Sequence, residues 1–127
     1  MNSFKKFYTG NNYNQHMYNG LIGFFMKLSH KKMEKSKEKK SKVLEIGPGT
    51  HPHTDYLLHE YDEYHVAEKI KELSDFYKDK EKIKFASYDG EKLPFEENFF
   101  DRIILSHCLE HVLEPEKMLQ DIYLKLK

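Results

Sequence analysis

The stretch Val43-Leu44-Glu45-Ile46-Gly47-Pro48-Gly49-Thr50 decides the fold, because it is a short apolar strand that runs straight into a turn carrying Gly47 and Gly49. Val43, Leu44 and Ile46 supply the apolar content of a strand buried on both faces. Gly47 and Gly49 permit backbone angles and close approaches that a side chain would block. Such a turn brings backbone N–H groups near a ligand. A helix starting beyond it would add unpaired donors and a partial positive field, which suit a carboxylate, a phosphate or ribose hydroxyls. The turn therefore reads as a nucleotide-cofactor loop.

Working outward, Tyr64-His65-Val66-Ala67 is a second candidate strand that ends on Glu68, one strand–helix–strand unit beyond the first. An acidic residue about 20 residues past a glycine turn can accept both hydroxyls of an adenosine ribose. Ile83-Lys84-Phe85-Ala86-Ser87 alternates like a third strand and ends at Tyr88-Asp89-Gly90. Glu91-Lys92-Leu93-Pro94-Phe95 then leads into Phe99-Phe100-Asp101-Arg102-Ile103-Ile104-Leu105-Ser106, a fourth. Asp89 is thus a further strand-end residue on the edge that carries the glycine turn and Glu68.

Together, V-L-E-I-G-P-G-T, Glu68, the segment Y-D-G-E-K-L-P-F and the run F-F-D-R-I-I-L-S-H-C-L-E-H-V resemble a class I S-adenosylmethionine-dependent methyltransferase with a type 11-like domain, over residues 43–127. The resemblance implies an α/β fold, a Rossmann-like parallel sheet with helices on both faces, and S-adenosylmethionine as cofactor. It also implies roles. The glycine turn, Gly47 and Gly49, approaches the methionine part of the cofactor and Glu45 organises its amino group. Glu68 holds the ribose, Asp89 accepts from the adenine amino group, and the Gly90 backbone lies beside the ring. Leu93, Pro94 and Phe95 match an L-P-F turn that is a structural signature of the family.

The chain departs from that pattern in two places. The family's turn commonly carries a third glycine where this chain has His51, within Thr50-His51-Pro52-His53. We expect His51 to point outward and Pro52 to open a helix at its first turn, a position that tolerates proline. The same departure argues against a nicotinamide dehydrogenase, since G-x-G-x-x-G would require glycine at Pro52. The second departure is length: about four strands are expected of the family's seven, and the chain stops in an amphipathic helix at Leu119-Gln120-Asp121-Ile122-Tyr123-Leu124-Lys125-Leu126-Lys127. The fourth strand would be an open apolar edge, a pairing liability unless covered by self-association or a partner. The chain then reads as a fragment, a degenerate product or half of an assembly.

With 127 residues, 39% of them hydrophobic and 14% aromatic, the chain has enough apolar content for one modest core. The single Cys108 cannot form an internal disulfide, no apolar run approaches the ~20 residues of a membrane span, and the start does not resemble a signal peptide. The default expectation is a reducing, cytoplasmic location. The formal net charge of zero hides an asymmetry: residues 1–42 hold ten lysines against Glu34 and Glu38, a net +8, so residues 43–127 carry −8. A lysine-rich stretch there could be a footprint for nucleic acid or an anionic surface, but no recognisable RNA or DNA motif accompanies it, and the reading preferred is a solvated helix end and linker.

The expected organisation is therefore an N-terminal helical lid and lysine-rich linker, residues 1–42, and an incomplete Rossmann-like domain, residues 43–127. Tyr13, Asn14, His16, Met17, Tyr18, Leu21, Ile22, Phe24, Phe25 and Leu28 form an apolar and aromatic face on a helix expected from Asn14 to about Lys39. Ordinary core packing is the commoner meaning of such a stripe; in methyltransferases resembling this one the helix covers the cofactor mouth, which makes Tyr8, Tyr13, His16 and Tyr18 lid candidates.

His107 and His111 stand four apart, which on a helix would put both on one face, but Cys108 occupies the glutamate position of H-E-x-x-H and no third ligand is evident, so no metal is expected. His107 follows strand four at the edge where open α/β sheets bind ligands, and it is the candidate catalytic base. The function expected is methyl transfer to a small-molecule acceptor, with a lipid precursor or quinone-like compound as the family default. A non-catalytic nucleotide-binding or interaction module is the alternative.

Overall fold

The computed structural model describes Gly20–Met33 and residues 37–127. Four segments rich in apolar and β-branched residues form strands: β1 Lys42–Ile46, β2 Glu63–Glu68, β3 Ile83–Ser87 and β4 Arg102–Leu105. They make one parallel sheet in the order β3-β2-β1-β4, with Val43 opposite Tyr64 and Arg102, and Tyr64 opposite Ile83. Every strand expected from the sequence is present, and the fold is α/β and Rossmann-like. The described helices are α1 Gly20–Met33, α2 Ser74–Tyr77 and α3 Pro115–Lys125.

The chain divides into two compact units, residues 1–37 with 53–58, and residues 38–52 with 59–127. In the larger unit the two faces of the sheet are filled differently. Leu44, Ile46 and Ala67 pack with Leu93, Phe100 and Met118 of α3, with Ile103, Leu105 and Ile122 at the margin. Buried His65 lies on this face among the edges of Phe95, Phe99 and Phe100, at centroid distances of 5.7, 5.7 and 5.2 Å. On the opposite face Tyr77 of α2 stacks on Phe85 of β3 with centroids 5.6 Å apart. Helices thus stand on both faces.

The connection from β1 to β2 holds no α-helix; it contains a single 3₁₀ turn, His53–Tyr56. Pro52 does precede that turn, as the sequence suggests. But Gly47, Pro48, Gly49 and Pro52 crowd the start of a short crossover, and glycine and proline both oppose helix propagation. The β2–β3 crossover is equally brief, a 3₁₀ turn at Lys71–Leu73 merging into α2.

Among the described residues β4 pairs only with β1 and so lies at an edge of the sheet, as expected. Just before it, Leu126 bridges Phe100 in parallel and the Lys127 N–H donates to the Phe100 carbonyl at 3.0 Å. The amides of Asn98, Phe99 and Phe100 in turn donate to the carbonyls of Leu124 and Lys125, which the end of α3 leaves without intrahelical partners.

In the smaller unit, α1 meets the His53–Tyr56 turn through His30. The His30 and His53 Nε2 atoms are 3.1 Å apart, one ring donating and the other accepting, and Tyr56 lies edge-on to His30 at 4.9 Å. The helix expected to reach Lys39 does not, since residues 37–39 are not helical; Lys37, Glu38 and Lys39 offer no apolar side chain whose burial would extend it. The stripe read as core is not core in its described part: Leu21, Phe24, Phe25 and Leu28 are exposed. Tyr8, Tyr13, His16 and Tyr18 lie outside the described residues.

Candidate functional site

Because all four strands are parallel, their C-terminal ends share one edge, and that edge gathers the residues singled out in the sequence. β1 delivers Gly47-Pro48-Gly49, with Gly47 at φ +69° and Gly49 at φ +63°, left-handed angles that glycine adopts without penalty. The turn is held from both sides. The Gly47 N–H donates to the Ala67 carbonyl at 2.9 Å, the Gly49 N–H donates to Glu68 Oε1, and the Tyr77 hydroxyl donates to the Gly49 carbonyl at 2.6 Å. A Cβ on Gly49 would meet nothing within 4 Å, so the turn keeps open space beside its backbone.

Glu68, buried at the end of β2, is pushed above the usual carboxylate range by desolvation, against which the Gly49 and Lys69 amides pull downward. Asp89, exposed after β3, caps its own turn: Oδ1 accepts from the amides of Glu91 at 2.8 Å and Lys92 at 3.1 Å, and these bonds hold its carboxyl below the ordinary value. Gly90 has φ +96°, and the end of the Lys69 side chain lies 3.1–3.2 Å from where its Cβ would be. A side chain at that position would displace Lys69.

Glu45 is placed differently from the other candidates. It is 1% exposed within β1 and accepts the Tyr64 hydroxyl at 2.5 Å, so the carboxylate is drawn into the sheet face that Tyr64 shares. Burial and the Glu45 charge together raise the Tyr64 phenol. His107 is exposed after β4 at φ +51°, an unusual angle for a side chain of its size. His107 and His111 are not on one helix face, since the only helical turn there is the 3₁₀ segment Leu109–His111. Among the described residues no group of three or more His, Cys, Asp or Glu is placed to hold a metal ion. His51 is exposed, as expected, and its Nδ1 lies 2.9 Å from the Thr50 hydroxyl.

Three residues at this edge were not singled out beforehand. Tyr77 reaches back to the glycine turn from α2, Lys69 lies across Gly90, and half-buried Cys108 packs on Gly47, its thiol pushed up to about 11 by burial and by Glu68 and Glu110. Cys108 was legible in part, since a residue just past β4 must lie beside the β1 turn. Tyr77 carried no such signal.

The sequence profile of a methyltransferase domain matches residues 44–127. The chain belongs to this methyltransferase family. That membership sets aside the dehydrogenase reading. None of the curated proteins is significantly similar to the chain. Among solved structures it is similar to the YcgJ protein of Bacillus subtilis, 24% identical with TM-score 0.61, covering 83% of this chain and 47% of that one. It is also similar to an S-adenosylmethionine-dependent methyltransferase of Mesorhizobium loti, 14% identical with TM-score 0.68, covering 85% and 51%. A third similarity is to a structure of the Haloferax volcanii Trm112 methyltransferase activator in complex with a methyltransferase, 16% identical with TM-score 0.74, covering 94% and 54%. At these identities the likeness shows the fold. The methyltransferase-family chain spans about half the length of the structures it matches.

Proposed function

We propose that this chain is an S-adenosylmethionine-dependent methyltransferase, or the cofactor-binding portion of one, acting on a small-molecule acceptor in the cytoplasm. The observation that carries the reading is the glycine turn tied by the Gly49 N–H to Glu68 at the edge that also presents Asp89. The residues present fit the cofactor: open space beside Gly49, a carboxylate at the ribose position, and an acceptor at the nucleobase position. S-adenosylmethionine supplies an activated methyl group whose carbon–sulfur bond breaks as the acceptor's lone pair bonds to that carbon.

The chain's own residues bind and orient. Gly47 and Gly49 give the methionine portion room at the backbone, Glu68 receives the ribose hydroxyls, and Asp89 with the Gly90 backbone receives the adenine edge. Glu45, held by Tyr64, contributes negative charge beneath the turn rather than a solvent-facing ligand. His107 is the group proposed to take the acceptor's proton, since it is exposed at the strand edge and a neutral imidazole nitrogen can accept one. Orientation at near-linear geometry is the protein's larger contribution.

The test is isothermal titration of the folded chain with S-adenosylhomocysteine, with NADH as control. Binding on the order of micromolar for the first and none for the second is expected, with Glu68→Ala and Asp89→Ala each weakening it about tenfold or more. A folded chain that binds neither compound would sink the reading. His107→Ala should leave binding intact and lower turnover; unchanged turnover across pH would remove its role.

A further inference from the structure

Among the described side chains of α1, Gly23 and His30 are buried, seven residues apart and therefore on one line down the helix. Opposite them, Leu21, Phe24, Phe25 and Leu28 recur at i, i+3, i+4 and i+7 and form a single stripe, 73%, 57%, 60% and 41% exposed. The two phenyl rings pack edge to face at 5.8 Å, so the stripe is continuous at its centre. Lys27 and Lys31, both exposed, flank it.

We propose that α1 is a docking helix for an anionic membrane surface, lying in the interface plane with Leu21, Phe24, Phe25 and Leu28 in the acyl boundary and its lysines at the headgroups. Two observations select this occupant. The stripe consists of Leu and Phe side chains without a hydrogen-bond donor or acceptor, so it gains from an apolar medium and has nothing with which to read a nucleobase edge or a polar surface. The sequence around it is strongly cationic, with a net +8 over residues 1–42 against −8 for the rest, which supplies the attraction to anionic lipid that an interfacial helix needs. Long lysine stems beside an apolar stripe can lie along it while their ammonium groups stay in water. No described helix is long and apolar enough to cross a membrane.

The experiment uses the whole chain with vesicles of pure phosphatidylcholine and of phosphatidylcholine mixed with phosphatidylglycerol, read by co-sedimentation. The expected result is binding to the mixed vesicles at least about tenfold stronger than to the neutral ones, falling steeply with salt. Phe24→Ser/Phe25→Ser should reduce it about tenfold or more, and Lys27→Gln/Lys31→Gln should weaken it and flatten the salt dependence. The chain has no tryptophan, so Phe25→Trp installs a sole reporter whose emission should shift to the blue on mixed vesicles alone. These substitutions fall on exposed positions, and circular dichroism checks that each variant is folded. Equal, weak association with both vesicle types would overturn the proposal. So would a stripe that drives self-association in sedimentation equilibrium, or a chain that binds RNA through its lysines and ignores vesicles.

Discussion

The sulfur of Cys108 stands 2.7 Å from the point a Cβ on Gly47 would occupy, and the Cys108 Cβ stands 3.3 Å from it. β1 and β4 are neighbours in register, so the residues just past their ends are forced together and one of them must lack a side chain. Gly49, two residues on, has a similar left-handed φ but nothing within 4 Å of its missing Cβ. The pair therefore separates two costs that usually arrive together. Gly49→Ala should lose about 1–2 kcal/mol from backbone strain alone. Gly47→Ala should lose that plus about 1–3 kcal/mol from overpacking against Cys108. Cys108→Gly should recover the second part for Gly47→Ala and recover nothing for Gly49→Ala. Urea denaturation of the single and double variants provides the cycle; additive effects for Gly47 and Cys108 would refute the contact's role.

A second relationship anchors the L-P-F turn. The Leu93 N–H donates to Asp121 Oδ2 at 2.7 Å, while Asp121 Oδ1 lies 3.5 Å from the ammonium of Lys125, which is 4% exposed. Removing the carboxylate leaves a buried cation unpaired and an amide without its acceptor. Asp121→Ala should therefore cost about 3–5 kcal/mol. Lys125→Met removes the charge but keeps the stem and leaves Asp121 bonded to Leu93, so it should cost about 1 kcal/mol or less. The same denaturation assay decides it, and equal losses for the two variants would mean that the stranded Lys125 cation and the Leu93 amide are not the source.

The strands were readable because each is a short apolar or alternating run bounded by glycine, proline or acidic residues, and their shared edge followed from parallel order. Glu68 and Asp89 reach that edge as read. What was not readable depends on contacts between distant elements. The helix expected after Gly49 is replaced by a 3₁₀ turn at His53–Tyr56, whose His53 pairs with His30 of α1, a partnership that no local pattern encodes. The bond from the Tyr64 hydroxyl to Glu45 was not readable either, because it depends on the strand register that puts Val43 and Tyr64 side by side on the face that Glu45 also shares. The α1 stripe has the right period for a core face, and periodicity tells which residues lie together without telling which way they point.

The glutamates that begin and end β2 are shifted in opposite directions, and this fixes the sign of two pH effects. Glu63 is held down at about 2 by the hydrogen bond from His65 Nε2 at 2.9 Å and by Lys84 Nζ at 3.0 Å. Its folded value lies below its unfolded one, so its contribution to stability is present above the ordinary carboxylate range and is lost as pH falls toward about 2. Glu68 is raised by burial, so the folded state holds its proton more tightly and its ionisation destabilises the fold as pH rises through the raised value. Glu63→Gln should accordingly lower the urea midpoint at neutral pH and make little difference near pH 2, an effect kept modest because the group is about a third exposed and screened by solvent. Glu68→Gln should raise the midpoint at neutral pH, with the gain vanishing in acid, while weakening S-adenosylhomocysteine binding. A fall in stability together with affinity for Glu68→Gln would mean that its carboxylate is kept for the fold rather than for the cofactor.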